Sequence, residues 1–86
     1  MRISWVIESR GAAQADVPTV DAAAKALSAG VRQAYAREDA TTLAHIMFSV
    51  VGPLRTALVT DGHRAVKQGE TWEAREGAIL VQLSPN

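Results

Sequence analysis

The 86-residue chain contains no cysteine, which excludes disulfide bonds and metal sites built on thiolates. A chain of this length buries only about 60–65% of the surface that its unfolded form exposes, so its stability is marginal without further support. The usual supports are disulfides, a metal ion or oligomerisation. Because 48% of the residues are hydrophobic, we expect the chain to form a homo-oligomer that covers part of this surface.

An excess of charge of either sign is also lacking, since nine basic residues balance nine acidic ones. Proteins that bind nucleic acids through phosphates usually carry a basic excess, because counterion release drives that binding. The balance therefore argues against nucleic acid as the main partner. It also provides little repulsion between copies of the chain.

Long apolar runs are absent as well. No run approaches the roughly 20 apolar residues that span a bilayer, and the short run after Arg2 is interrupted by Glu8 and Arg10, unlike a signal peptide. The chain is predicted to be soluble and cytoplasmic, with no membrane partner. Its length predicts a single small α+β domain over residues 1–86.

The first half of the chain predicts a strand and a helix. Ile3, Trp5 and Ile7 alternate with other residues, which is typical of a strand covered on one face. The small and polar residues 11–18 are expected to form a loop. A long helix is predicted at about 19–37, where apolar residues recur at helical spacing behind Thr19 as N-cap. Gly30 is a weak point of this helix, a close-packing site or the end of a shorter helix.

The middle of the chain is open to two interpretations. Residues 40–51 form either a second helix capped by Asp39 and stopped at Gly52-Pro53, or a buried strand, because Ile46 to Val51 have high β propensity. Leu43, Ile46, Met47, Val50 and Val51 give the helical spacing, which favours the helix.

The last third predicts strands. Asp61-Gly62 lies between short apolar runs, which is the strongest short-range signal for a β-hairpin. Residues 55–83 are therefore predicted to form an antiparallel meander, with the helices packed on one face of the sheet.

No motif identifies a catalytic residue, a cofactor or a metal site. The glycines match neither a dinucleotide-binding fingerprint nor a P-loop, and no carboxylate or histidine lies three or four positions from His45. Asp61 and His63 could form a catalytic pair across a turn, although Asp-Gly is explained by the turn itself. Glu70, Glu73 and Glu76 form an acidic stretch that could act as acid and base or bind Mg²⁺ or Ca²⁺. Their spacing matches no cation-binding loop, and charges on an exposed strand edge explain them sufficiently.

Two groups of side chains are candidate binding surfaces. Trp72 lies among the polar residues Glu70, Glu73 and Arg75, and tryptophan is enriched at the centres of protein interfaces. Its alternative role is packing within its own monomer.

The second group consists of Arg55, Arg64 and Lys67, which would form a basic hairpin able to contact nucleic acid.

These features favour a small non-enzymatic protein-interaction module, of the size of accessory or inhibitor proteins encoded by phages and mobile elements. The alternatives are a small-ligand binder or enzyme with its site at a subunit interface, and a nucleic-acid-binding protein.

Overall fold

A four-stranded antiparallel sheet carries two helices on one face in the computed structural model, which describes residues 1–85. The strands are β1 (Arg2–Ile7), β2 (Gly11–Asp16), β3 (Trp72–Glu76) and β4 (Ile79–Ser84). They lie in the order β2-β1-β4-β3. The α+β class and the packing of helices on one face of an antiparallel sheet are confirmed.

Helix α1 (Val20–Ala34) begins at Thr19, whose hydroxyl accepts a hydrogen bond from the Ala22 amide at 3.1 Å. It covers the core with its small residues and Leu27, so it lies close to the sheet. Gly30 is the close-packing site among the predicted alternatives: a β-carbon there would come within 2.2 Å of Trp5 Cζ2. The helix therefore runs through Gly30, and Trp5 lies against the gap in its surface.

The second helix, α2, is longer than predicted and runs from Ala40 to Lys67. Asp39 caps it by accepting a hydrogen bond from the Thr42 amide at 2.7 Å, so the helical interpretation of residues 40–51 is confirmed. Pro53 does not stop it, because the helix widens into a π-helical turn over Met47–Val51, where the Gly52 amide reaches the Met47 carbonyl. Proline removes one amide and clashes with the carbonyl one turn earlier, and the wider register of a π-helical turn changes which carbonyl lies opposite it.

The predicted hairpin at Asp61-Gly62 is wrong, and the meander begins at Trp72 instead of residue 55. Leu58–Gly62 is a second π-helical turn of α2. Gly62 serves packing: a β-carbon on it would lie 3.3 Å from ring atoms of Trp72 and from Leu83 Cδ2. Tertiary packing against the sheet thus overrides the local preference of Asp-Gly for a turn.

The predicted loop at residues 11–18 is also wrong, because β2 pairs with β1 from Ile7↔Gly11 to Arg2↔Asp16. The chain reverses through Ser9 and Gly11, at φ values of 63° and 129°. The alanines of β2 have little β propensity. The strand therefore forms because its backbone makes hydrogen bonds with β1, and not because of its own side chains.

The core lies between the sheet and both helices. It consists of alternate residues of β1 and β4 and of one face of each helix. The fully buried large side chains are Ile3, Leu27, Leu58, Ile79, Leu83, Val31, Val51 and Val81. The opposite face of the sheet carries no helix among residues 1–85, and Val6 on that face is 48% exposed.

Candidate protein-interaction surface

The two halves of α2 differ in how they meet the rest of the molecule. A helix of 28 residues is about 42 Å long, whereas a six-residue strand of this sheet spans about 20 Å. The described residues measure 40 × 19 × 19 Å, so the longest dimension matches the helix. Part of α2 must therefore extend past the sheet.

The part that extends is the beginning of the helix. Residues 51–67, called the inner half here, contain Val51, Leu54, Leu58 and Gly62, all of them buried. Residues 40–50, the outer half, contain no buried residue. Leu43, Ile46, Met47 and Val50 are only half-buried against the edge of the core.

Phe48 is the most exposed large apolar residue of the outer half, with 85% of its surface accessible. It lies on the helix face turned away from the core, beside exposed Ala44. Burial of a phenylalanine side chain is worth about 1.5–3 kcal/mol. The position therefore loses most of that stabilisation in an isolated monomer.

The outer half also lacks charge. No Asp, Glu, Lys or Arg occurs from Ala40 to Leu54, and the exposed polar residues of the outer half are Thr41, Thr42, His45 and Ser49. Surfaces of monomeric proteins are normally rich in charge, whereas the centres of protein interfaces are depleted in it. The outer half therefore has the composition of an interface centre.

The sequence analysis did not single out Phe48 as a candidate, although a signal for its exposure was present. Once residues 40–51 are read as a helix, Phe48 falls beside the Leu43/Ile46/Met47/Val50 face and not within it. The Ile46-Met47-Phe48 run also has high β propensity, so the same residues are compatible with a buried strand.

Trp72 packs within its own monomer, which is the alternative role given for it above. It is half-buried, faces Leu83 across the β3–β4 pair, and contacts Gly62 of α2. Glu73 and Arg75 are exposed on the other face of the sheet, where Gln82 Nε2 donates to Glu73 Oε1 at 3.3 Å, and Glu70 lies in the preceding turn. The structure thus separates Trp72 from the three polar residues grouped with it, and their role in partner binding stays a prediction.

Asp61 and His63 do not meet across a turn, because both are exposed residues of α2. The carboxylate of Asp61 instead lies 3.9 Å from Arg64 Nη1. His45 is 18 positions away from His63 on the same helix and lies 3.5 Å from Ser49 Oγ through Nδ1. Within residues 1–85 no three histidine or acidic side chains are grouped as metal ligands.

The basic hairpin does not exist, since Arg55, Arg64 and Lys67 are all on α2. All three are exposed, and Arg64 has Asp61 as a neighbouring opposite charge. They could contact nucleic acid only as helical residues of the inner half, and that contact also stays a prediction.

The ion pairs near the β1–β2 hairpin are structural. Arg10 donates to the Ala34 carbonyl at 3.1 Å and to Glu38 at 2.6 Å, and its guanidinium stacks 3.9 Å from the centre of the Tyr35 ring. These contacts join the hairpin to the end of α1. At the other end of the hairpin, the hydrogen bond from Arg2 holds the pKa of Asp16 below its usual value.

By length and composition, α2 could also cross a membrane, and only 17% of its most apolar stretch is buried. The inner half nevertheless covers the sheet through Leu54 and Leu58, and insertion into a membrane would uncover that core.

Comparison with known protein families, with curated proteins and with solved structures finds no match to this chain.

Proposed function

We propose that the protein is a small protein-interaction module that self-associates, most simply as a homodimer, through the outer half of α2. The observation that carries the proposal is the 85% exposure of Phe48 in an uncharged stretch of helix. Apolar surface that is gathered into one patch marks an interaction site, whereas singly scattered apolar residues do not.

A second copy is the occupant that the charges favour. Partners of opposite charge select one another through complementary potentials, and the outer half has no charge for such selection. Two identical uncharged surfaces meet without repulsion, and the formal net charge of zero adds none at long range. A two-fold contact between two outer halves would pack apolar residues of each helix against the other.

A membrane surface is less well supported than a protein surface. Helices that lie in a bilayer interface usually carry lysine or arginine beside their apolar face, and the outer half has neither. The same proposal includes a cellular setting. It places the protein in the cytoplasm, as an accessory protein of a phage or mobile element.

The experiment is sedimentation velocity over a range of concentrations, comparing wild type with Phe48→Ser. We expect a reversible dimer for wild type and at least about a tenfold weaker dimer for Phe48→Ser, because the variant replaces the large apolar side chain that the dimer would bury with a small polar one. A wild-type protein that stays monomeric at the highest concentration contradicts the proposal.

Val59→Ser is the matched control. Val59 is also exposed, at 38%, but it lies on the inner half of the same helix. The control should dimerise like wild type. Equal weakening of the dimer by the two substitutions would mean that general loss of apolar surface, and not the outer half, determines association.

Cosedimentation with phosphatidylcholine vesicles tests the membrane alternative, and vesicle binding without dimerisation would favour that alternative.

A further inference from the structure

The outer edge of β2 has unpaired backbone groups in a regular array. Met1 and Val17 exchange both backbone hydrogen bonds, at 3.1 and 2.8 Å, and such pairs alternate along an antiparallel ladder. The inward-bonded residues of β2 are therefore the odd-numbered ones. Ala12, Gln14 and Asp16 direct their N–H and C=O groups away from β1, and no strand of residues 1–85 pairs with them.

Over residues 11–15 this edge lacks the features that normally prevent strand addition. Edge strands are usually protected by charged side chains, proline or a bulge, and β2 has only small or neutral residues before Asp16. The opposite edge, β3, carries Glu73, Arg75 and Glu76 within five residues. The two edges therefore differ in how readily they accept another strand.

Two grooves flank β2, one on each face of the sheet. On the helix side, a groove of about 330 Å³ lies between Trp5, Ala13, Gly30 and Gln33, and Arg10 also lines it. It exists because Ala13 is too small to fill the space between the strand and α1. On the open side, a depression of about 340 Å³ lies over Ala12, beside Val6 and Gln14.

We infer that the edge of β2 binds an extended segment of another protein as a fifth strand, and that two adjacent large apolar residues of this segment fill the two grooves. Neighbouring residues of a strand point to opposite faces, so one side chain would pass over Ala13 towards Trp5 and the next over Ala12 towards Val6. Backbone hydrogen bonds supply affinity in this mode, and the side-chain pockets supply specificity.

A second copy of this chain does not fit the edge equally well. The β2 strand of a second copy would bring only Gly11, Ala13 and Ala15 to the helix side and would leave the groove beside Trp5 empty. The partner is therefore a different segment with larger apolar side chains. This surface is separate from the outer half of α2, so the inference does not depend on self-association.

The test uses two blocked synthetic peptides, acetyl-Lys-Thr-Ile-Phe-Thr-Lys-amide and the same peptide with Ala-Ala in place of Ile-Phe. We expect saturable binding of the first peptide by calorimetry, with amide shifts at Ala12 and Gln14 in NMR spectra, and binding of the second at least about tenfold weaker. No saturable binding of the first peptide at about 1 mM, a concentration that detects even weak strand addition, overturns the inference.

Two variants separate the backbone and the groove contributions. Gln14→Pro removes an outward N–H without removing a bond to β1, and we expect at least about a tenfold loss of affinity. Glu73→Pro, at an outward position of the β3 edge, is its matched control and should bind like wild type. Equal losses in the two variants would contradict binding at β2.

Ala13→Leu is a second variant for use if the proline substitutions disturb the fold. It retains every backbone group and fills the helix-side groove. The substitution should lower the affinity for the Ile-Phe peptide about fivefold or more. Unchanged affinity would overturn the inference that a side chain of the peptide fills this groove. Phe48→Ser should bind the peptide like wild type, so failure at β2 and failure of the dimer can be told apart.

Discussion

The two halves of α2 belong to one uninterrupted helix, yet only the inner half is part of the folded core. Leu58 of the inner half is fully buried beneath the sheet, whereas Leu43 of the outer half is half-buried and Phe48 is 85% exposed. Both halves are rich in apolar residues, so composition alone does not determine burial. The length of the sheet does, because a helix twice as long as the strands it covers must extend past them.

The largest effect that distinguishes the halves is expected from matched leucine truncations. Leu58→Ala should lower the free energy of unfolding by about 3 kcal/mol, because it leaves a cavity in a filled core. Leu43→Ala, the same chemical change in the outer half, should cost less than about 1 kcal/mol in the monomer. Urea denaturation at low protein concentration measures both.

Equal losses of unfolding free energy in the two variants at low concentration would show that the outer half is as much a part of the monomer core as the inner half. At high concentration the cost of Leu43→Ala should rise, because association stabilises the state that buries this residue.

A smaller effect is expected at the start of the outer half, where Asp39 caps the helix. The hydrogen bond from the Thr42 amide holds the pKa of Asp39 below its usual value. A folded-state pKa below the unfolded one means that the stabilisation is present at neutral pH and is lost as the pH falls through the lowered pKa.

Far-UV circular dichroism against pH measures this loss as a decrease in helix content. Asn at position 39 also caps a helix but does not titrate, so Asp39→Asn should remove this part of the acid transition while Asp39→Ala should lower helicity at all pH values. An acid transition that is identical in wild type and Asp39→Asn would exclude a contribution from the cap. The hydrogen bond from Arg2 also lowers the pKa of Asp16, but this contribution is common to all three proteins.

Several elements could be predicted from the sequence because local signals and tertiary packing agree there. Thr19 and Asp39 cap the helices as predicted, and the alternation of Ile3, Trp5 and Ile7 places the buried face of β1 correctly. In each case the residue that gives the local signal also makes the contact in the fold.

Elsewhere the conformation of a residue depends on contacts with distant parts of the fold that no local sequence pattern shows. Gly62 resembles a turn residue but lies in the helix, where Trp72 and Leu83 pack against the position that a β-carbon would occupy. Strand β2 consists of residues with little β propensity and exists because β1 lies next to it. The uncharged run from Ala40 to Leu54 is visible in the sequence, but its meaning depends on the length of the sheet, which is known only from the fold.

The most direct test of the account is amide hydrogen exchange as a function of protein concentration. If the outer half of α2 is the self-association surface, exchange in residues 43–50 should slow as concentration rises, while the protected amides of the inner half near Leu54 and Leu58 stay unchanged. Exchange in residues 43–50 that is independent of concentration, or slowing located only on the sheet, would contradict it.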